Sequence, residues 1–301
     1  MRKNMYPVPV TYLYDFEEVS EKMRPRIMHE FAANGAKHLV YTAGLIRQCL
    51  QNMTNLERMQ KEMAAEGLTF VDAHVPYENE LNLNAPVSPA RRRIMAKYQK
   101  LVMEMTAYMG VKTLTVHSGN NSWFTPEQCS LQQNMDNVCA MLDLVLPTAE
   151  ELGITYCMEN IWFQTNTPDF LNAIKEKFPT DALGFCYDAG HANEMDKGRL
   201  YEDSNAGRAF EKVGLPVPWD DHILEKLLPN VVNCHLHDNM GQWDDHKIPG
   251  KGNVNWDHII SLLKQAPRLQ CIQSEVHPYH ANESIREICE TFRKLLPETD
   301  A

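Results

Sequence analysis

Eight strand-like segments alternate with amphipathic helix-like segments along the whole of this 301-residue chain. Parallel strands joined by helices are the basis of α/β folds, and eight such units close most naturally into a parallel (β/α)8 barrel. We therefore expect one barrel domain over residues 1–301; a doubly wound open sheet is the alternative if some of these strands are spurious. The predicted strands are Val8–Tyr14, Ala36–Thr42, Leu68–His74, Thr113–His117, Thr155–Glu159, Leu183–Asp188, Val231–His235 and Gln270–Glu275.

Helix boundaries between these strands have recognisable signals. The pairs Ser88-Pro89 and Thr167-Pro168 each precede an amphipathic segment, and a Ser or Thr cap followed by Pro is typical of a helix start. Gly110 and Gly153 stand where a helix turns into the next strand, as glycine permits at a helix C-terminus. The segment at about 193–218 is rich in Gly, Asp and Pro, which predicts an elaborated loop or lid.

Charge and cysteine content exclude several classes of protein. The net charge of -11 disfavours general nucleic-acid binding, which draws most of its affinity from Lys and Arg. No stretch approaches the roughly 20 apolar residues of a membrane span, and the first residues lack the apolar core of a signal peptide. We therefore expect a cytoplasmic protein. Its eight cysteines include no C-x-x-C pair, so buried free thiols are favoured over disulfides or a thiolate metal site.

Residues of the types that bind metal ions stand at or just after the ends of six of the eight predicted strands. In a barrel of this kind the loops after the carboxyl ends of the strands build the active site, so these residues should converge. Nine such residues after six different strands are poorly explained by chance. They are His74, His117, Glu159, Asp188, His191, His235, Asp244, His246 and Glu275.

Four of the nine, Glu159, Asp188, His235 and Glu275, form the predicted catalytic metal site. Three carboxylates with one imidazole suit a divalent ion, with Mn2+ favoured and Mg2+, Co2+ or Zn2+ as alternatives. Such an ion can bind two adjacent oxygens of a sugar or hydroxy-ketone and acidify the C–H between them. Glu159 and Glu275 are the candidates that would exchange this proton.

Other residues near the strand ends are candidates for substrate contact or for further metal ligands. His235 and His237 are two apart and face the same side of a strand, and His235 is preferred because it lies nearer the apolar body of that strand. Asp244 and His246 alternate along an extended loop, so both can bind one ion. Trp123 and Trp162 follow predicted strand ends, where stacking on a sugar ring and simple loop packing are equally plausible.

The sequence resembles the xylose-isomerase-like barrel superfamily over about residues 36 to 280. The specific portions are "ENIW" at Glu159, "DAGH" at Asp188 and "HLHDNMGQWDDHKIPGKGNVNW" from His235. By resemblance to the ketose epimerases of this group, Glu159, Asp188, His235 and Glu275 hold the metal, the two glutamates act as acid and base, and His191 touches substrate. Those epimerases have an Arg shortly before the Pro-Gly-x-Gly turn, where this chain has Asp244 and His246.

The apurinic endonucleases of the same superfamily offer a second interpretation. They hold three zinc ions, and their ligand pattern corresponds to all nine residues given above. We nevertheless expect a metal-dependent isomerase, epimerase or related lyase with a small carbohydrate substrate, since the acidic balance disfavours a DNA duplex. The alternatives are an endonuclease acting on abasic DNA and a non-catalytic subunit with a vestigial metal site. The sequence is compatible with a homo-oligomer and leaves the sugar and its phosphorylation open.

Overall fold

Eight parallel strands form the centre of the molecule, which confirms the predicted (β/α)8 barrel. The structure is a computed structural model that describes residues 6–77, 81–119, 130–201, 203–278 and 282–300. The strands pair in chain order, and the last one closes the sheet by pairing with the first, Thr11 opposite Gln273. Their bounds are β1 Val10–Tyr12, β2 His38–Tyr41, β3 Thr69–His74, β4 Thr113–Val116, β5 Thr155–Glu159, β6 Leu183–Asp188, β7 Val231–Leu236 and β8 Ile272–Ser274.

Eleven α-helices lie among the described residues, most of them between successive strands. None of these helices combines the length and the apolar character needed to cross a lipid bilayer. The helices are α1 Arg24–Ala33, α2 Ala43–Gln51, α3 Thr54–Ala65, α4 Pro89–Tyr108, α5 Leu131–Leu152, α6 Pro168–Lys177, α7 Ala189–Lys197, α8 Asn205–Lys212, α9 Ile223–Leu227, α10 Trp256–Leu263 and α11 Ile285–Leu295.

The expected capping signals act at the helix starts. The side chain of Ser88 accepts a hydrogen bond from the backbone N–H of Arg91 at the start of α4, and Thr167 caps α6 in the same way. These bonds satisfy N–H groups that have no partner inside the helix. At the other end, Gly153 adopts φ +66°, a left-handed conformation that lets α5 stop and turn into β5.

The two faces of the strands differ in chemistry. Toward the helices the strands present large apolar groups such as Leu114, and Tyr156, whose hydroxyl donates to Gln99 on α4 over 3.0 Å. The barrel interior is polar instead. There the Asn233 side chain donates to the Asp72 carboxylate at 3.0 and 3.1 Å and to the Thr115 hydroxyl at 2.8 Å. Buried polar groups are stable when they are paired in this way. This hydrogen-bonded network in the barrel interior therefore supports the residues at the carboxyl end of the strands.

The segment at about 193–218 is more regular than its composition suggests. It contains the end of α7, a short 3-10 helix at Gly198–Leu200 and the whole of α8. Helix α8 begins where the Ser204 side chain accepts from the N–H of Gly207, and it buries Ala206 and Phe210 against the core. The elaborated connection between β6 and β7 therefore includes regular helix, because one capping residue and one apolar face outweigh a Gly-, Asp- and Pro-rich composition.

Candidate metal centre

The four predicted ligands converge at the carboxyl end of the barrel. Glu159 and Asp188 are the last residues of β5 and β6, and His235 lies on β7 directly opposite Asp188 in the strand register. Glu275 follows the last residue of β8. Each side chain is at most about a tenth exposed, so four polar groups are withdrawn from water at one place.

The imidazole of His235 is the centre of this group. Its Nδ1 atom lies 2.9 Å from Glu159 Oε1, 3.2 Å from Glu275 Oε1 and 3.8 Å from Asp188 Oδ2. One ligand atom from each of the four residues lies within 4.8 Å of the others. On the far side of the ring, His235 Nε2 is 3.5 Å from the Thr115 hydroxyl, which fixes the ring orientation from the polar floor of the barrel.

Two histidines from neighbouring strands form a second group with Glu159. His117 Nε2 is 3.1 Å and His74 Nε2 is 3.5 Å from the same oxygen, Glu159 Oε2. The two rings are perpendicular, with centroids 5.0 Å apart. His74 is further held by a 2.7 Å contact between its Nδ1 and the carbonyl of Val75. Glu159 therefore turns one oxygen toward each of two clusters.

A third group lies beside Asp188. Its members His237, Asp244 and His246 place ligand atoms within 4.8 Å of one another, and so do Asp188, His191 and His237. His246 Nε2 is 3.0 Å from Asp244 Oδ2, and His191 Nε2 is 3.5 Å from the same oxygen. His237 Nε2 is 3.2 Å from Asp188 Oδ2 and 3.6 Å from Asp244 Oδ1, so this histidine lies between the groups.

The backbone around His237 and Asp238 holds this third group in place. A Cβ atom at Gly190 would lie 2.0 Å from His237 Cε1, so only glycine allows the ring to lie against α7. The Asp238 carboxylate accepts from the N–H groups of Gly250 at 2.7 Å and Val254 at 3.2 Å, and from the indole of Trp256 at 3.0 Å. These bonds tie down the loop that carries Asp244 and His246.

Electrostatics favour ionised carboxylates in this centre. Burial alone would raise the pKa of Glu159, but the charge of His235 and the hydrogen bonds from His117 and His235 hold that pKa well below its usual value. Burial likewise opposes ionisation of Asp244, yet His246 and His191 lower its pKa well below the ordinary range. Burial would lower the pKa of His246, but Asp244 raises it to about 10.

Several buried ligand atoms have no hydrogen-bond partner within the part of the chain that the structure describes. They are Glu275 Oε2, Asp244 Oδ1 and His237 Nδ1. A buried polar atom without a partner is costly, by about 1–3 kcal/mol for a neutral group and more for a charged one. Oxygen and nitrogen atoms of this kind are what a divalent ion binds, so the residues present fit a metal centre.

The predicted site residues can now be located one by one. The nine residues predicted at the strand ends all lie in the three groups, and so does His237. Both His235 and His237 face inward. Trp162 packs edge-on against His191, with ring centroids 4.8 Å apart, and does not line the central cavity formed by the described residues. Trp123 lies outside the residues that the structure describes.

Strands β1 and β2, for which no site residue was predicted, supply the opposite wall of the central cavity. This cavity has a volume of about 180 Å³ and is lined on one side by His74, Glu159 and Glu275. On the other side it is lined by Asp15 and Glu17, among others. The sequence signal for these residues was the polar segment "YDFEE" directly after β1. This segment contains three carboxylates in four residues, and their spacing does not show which of them faces the cavity.

His277 also lines this cavity and was not predicted. Its Nδ1 atom lies 2.9 Å from Asp15 Oδ1, and its ring lies against that of His246 with centroids 4.2 Å apart. His277 stands two residues after Glu275. An alternate residue of an extended segment shares the face of its neighbour, so this spacing was a usable signal.

Fold and site together define a class of protein, and sequence comparison identifies it. The model of the xylose isomerase-like TIM barrel family matches residues 43–295, so the chain belongs to this family. An uncharacterised protein of Methanocaldococcus jannaschii, MJ1311, is 26% identical over 203 residues. That alignment covers 63% of this chain and 61% of the relative, so the chain spans less than two thirds of the length of that relative.

Solved structures with the same fold include several sugar epimerases. A D-tagatose 3-epimerase-like protein superposes with a TM-score of 0.71 at 20% identity, covering 97% of this chain and 99% of that protein. D-psicose 3-epimerase from Clostridium cellulolyticum H10 gives 0.70 at 12% identity, with 97% and 99% covered. The IOLI protein with a bound zinc atom gives 0.63 at 15% identity, with 96% of each chain covered. At these identities the likeness shows the fold.

Proposed function

We propose that this protein is a divalent-metal-dependent isomerase or epimerase, or a related lyase, that acts on a sugar or keto-sugar. The observation that carries the proposal is the group of Glu159, Asp188, His235 and Glu275, whose ligand atoms lie within 4.8 Å of one another beside the cavity. The epimerase activities of structurally similar proteins support it. The small cavity suits a substrate the size of a monosaccharide.

The proposed reaction removes and returns a proton on a carbon next to a carbonyl. A divalent ion in this centre, Mn2+ in the first instance, would supply polarisation of the carbonyl and so acidify the neighbouring C–H. The chain supplies the bases: Glu159 and Glu275 both line the cavity, and their Oε1 atoms approach the His235 imidazole from different strands. Both carboxylates have lowered pKa values despite burial, because His235 lies beside each of them, so both are in the ionised form that a base requires.

His191 is proposed as a substrate contact. It lines the cavity, and its Nδ1 atom is fixed by a 3.0 Å contact with the carbonyl of Asn160, which belongs to the "ENIW" segment. The Asp188 carboxylate accepts from the backbone N–H of His191 at 2.6 Å, so strand β6 passes into α7 without an intervening loop. A ring fixed in this way can hold a substrate hydroxyl in a defined position.

The proposal is tested by proton exchange with solvent. The Mn2+-loaded protein is incubated in D2O with a panel of free ketoses, and NMR follows deuterium at the carbon next to the carbonyl. We expect deuterium to enter at least one ketose, to stop entering after chelation and to enter again when Mn2+ is restored. Exchange that continues undiminished after complete metal removal would contradict the proposal.

The arrangement of ligands into three groups favours a second candidate, a trinuclear zinc endonuclease acting on abasic DNA. The groups centre on His117 with Glu159, on His235 with Glu275, and on Asp244 with His246. If the protein held three zinc ions tightly and cleaved an abasic duplex, the endonuclease would replace the sugar enzyme as the proposed function.

A non-catalytic subunit, the remaining alternative, predicts turnover of neither substrate. We prefer the sugar enzyme because no Lys or Arg lines the cavity formed by the described residues, whereas a DNA backbone calls for cations.

A further inference from the structure

The cavity has two chemically different sides. The ligand carboxylates and histidines occupy one side, and the loop after β1 and the start of α2 form the other, which we name the β1–β2 wall: Asp15, Glu17 and Thr42–Gly44. A cavity of about 180 Å³ lies below the roughly 300–1,000 Å³ of sites for drug-sized ligands. A substrate held at the metal centre must therefore extend its remote end to the β1–β2 wall.

The start of α2 would ordinarily attract an anion to this wall. A helix N-terminus carries a partial positive charge and unpaired N–H groups, and phosphates bind there readily. In this chain the position is taken by Glu17. Its Oε2 atom lies 3.1 Å from where a Cβ of Gly44 would stand, so the carboxylate rests on the first turn of α2.

The nearby arginine, Arg47, forms an ion pair with Glu17. Arg47, one turn further along α2, places its Nη1 atom 2.7 Å from Glu17 Oε2 and is not among the residues that line the cavity. The wall therefore presents carboxylate to the remote end of a substrate.

Asp15 presents an acceptor to the same space. Its Oδ1 atom lies 2.9 Å from His277 Nδ1, whereas its Oδ2 atom is buried and has no hydrogen-bond partner in the described structure. An ionised carboxylate accepts hydrogen bonds and donates none. It therefore suits a sugar hydroxyl, which can donate, and repels a phosphate, which carries a charge of about -1.5 to -2 at neutral pH.

We infer that the β1–β2 wall restricts this enzyme to neutral, unphosphorylated sugars, and that Glu17 is the specificity-determining residue that excludes a terminal phosphate. The inference rests on the proposed function, since it concerns the remote end of the same substrate. Replacing Glu17 by Gln keeps the side-chain size and removes the negative charge beside the first turn of α2. The variant should therefore accept phosphate at the wall.

The test compares binding of D-tagatose and D-tagatose 6-phosphate to the Mn2+-loaded protein by calorimetry. We expect the wild type to bind the free sugar at least about tenfold more tightly than the phosphate, and Glu17→Gln to reduce that ratio about tenfold or more. Glu18→Gln is the matched control, because Glu18 is an exposed neighbour outside the cavity lining and its loss changes the net charge equally. The control should keep the wild-type ratio.

Two other outcomes would overturn the inference and are distinguishable from each other. If the wild type binds the phosphate as tightly as the free sugar, or if Glu17→Gln leaves the ratio unchanged, the wall does not select and the proposed function stands. If none of the three proteins binds either sugar while each retains Mn2+, the inference fails, and the proposed function fails with it only if no ketose of the panel exchanges deuterium.

Discussion

The two sides of the central cavity are built from the same kinds of residue in different surroundings. On the ligand side, the strand ends from β3 to β8, each of the four predicted ligand carboxylates lies within 4 Å of nitrogen atoms of two or more histidines. These carboxylates are Glu159, Asp188, Asp244 and Glu275. On the β1–β2 wall, Glu17 pairs with Arg47, and Asp15 contacts a single histidine, His277, while its Oδ2 atom has no hydrogen-bond partner among the described residues. The comparison teaches that carboxylates that share two or more imidazoles suit a metal ion, whereas carboxylates that contact one imidazole or none suit the hydroxyl groups of a substrate.

Removing the shared carboxylate of the ligand side should have the largest effect. Glu159→Gln takes a charged oxygen from two ligand groups and a proposed base from the reaction, so we expect kcat to fall by about 10³-fold or more. Steady-state kinetics on the ketose found by deuterium exchange measures this. Glu151→Gln, an exposed residue on α5, is the matched control and should behave as wild type. A near-normal kcat in Glu159→Gln would show that this carboxylate is not needed for catalysis. The ligand side would then not differ from the β1–β2 wall in its part in the reaction.

Loosening the loop that carries Asp244 should weaken the ligand side without removing a ligand. Asp238→Asn replaces a carboxylate that accepts from Gly250, Val254 and Trp256 by an amide with one acceptor. We expect a loss of about 2–3 kcal/mol in the free energy of unfolding and about 10- to 100-fold in metal affinity. Thermal unfolding and metal titration measure the two losses. Unchanged metal affinity in a destabilised variant would mean that this loop does not contribute to the centre.

A double-mutant cycle tests whether Gly190 is required by His237. Gly190→Ala places a methyl group 2.0 Å from His237 Cε1, so the ring must move, at a cost of about 1–3 kcal/mol in unfolding free energy. In a His237→Ala background the obstacle is gone, and the same substitution should cost much less. Denaturant unfolding of the four proteins measures the coupling. Equal costs in both backgrounds would contradict this packing.

Stability and metal binding of the ligand side should depend on pH in opposite ways. In the metal-free protein the Asp244 carboxylate raises the His246 pKa to about 10, above the unfolded value of about 6.5. This pair therefore stabilises fully below about pH 6.5 and loses its contribution as pH rises toward 10. A metal ion must displace the same protons, so metal affinity should rise over that interval. Unfolding and metal titrations at several pH values check both slopes, and parallel slopes would contradict the assignment.

The smallest effect is expected from the β1–β2 wall. Asp15→Asn keeps an acceptor for His277 but weakens the acceptor offered to a substrate hydroxyl, so KM should rise about tenfold or less while kcat changes little. Steady-state kinetics on the neutral ketose separates the two constants. A fall in kcat as large as that in Glu159→Gln would show that the wall takes part in the chemistry.

The sequence predicts the barrel and the convergence of the strand-end residues for one physical reason. Parallel strands buried on both faces read as clear apolar runs, and a polar residue at the end of such a run stands out, as Glu159 and Asp188 do. It does not predict the β1–β2 wall. Glu17 acts through its position on the first turn of α2, a contact between residues 27 positions apart that no local pattern encodes.

Two other features could be assigned only from the tertiary structure. His235 and His237 both face inward, and only the distances show that His235 lies among the carboxylates while His237 lies between two groups. The segment 193–218 reads as a loop by composition, yet the burial of Phe210 makes α8 a helix. Composition describes what a segment tolerates, whereas packing determines what it forms.

The most direct test of the central claim is an anomalous diffraction experiment on crystals grown with Mn2+. The account predicts the strongest anomalous peak among Glu159, Asp188, His235 and Glu275, within about 2.0–2.6 Å of their ligand atoms. Absence of a peak at that position at saturating Mn2+, or a strongest peak beside Asp244 and His246 instead, would contradict it.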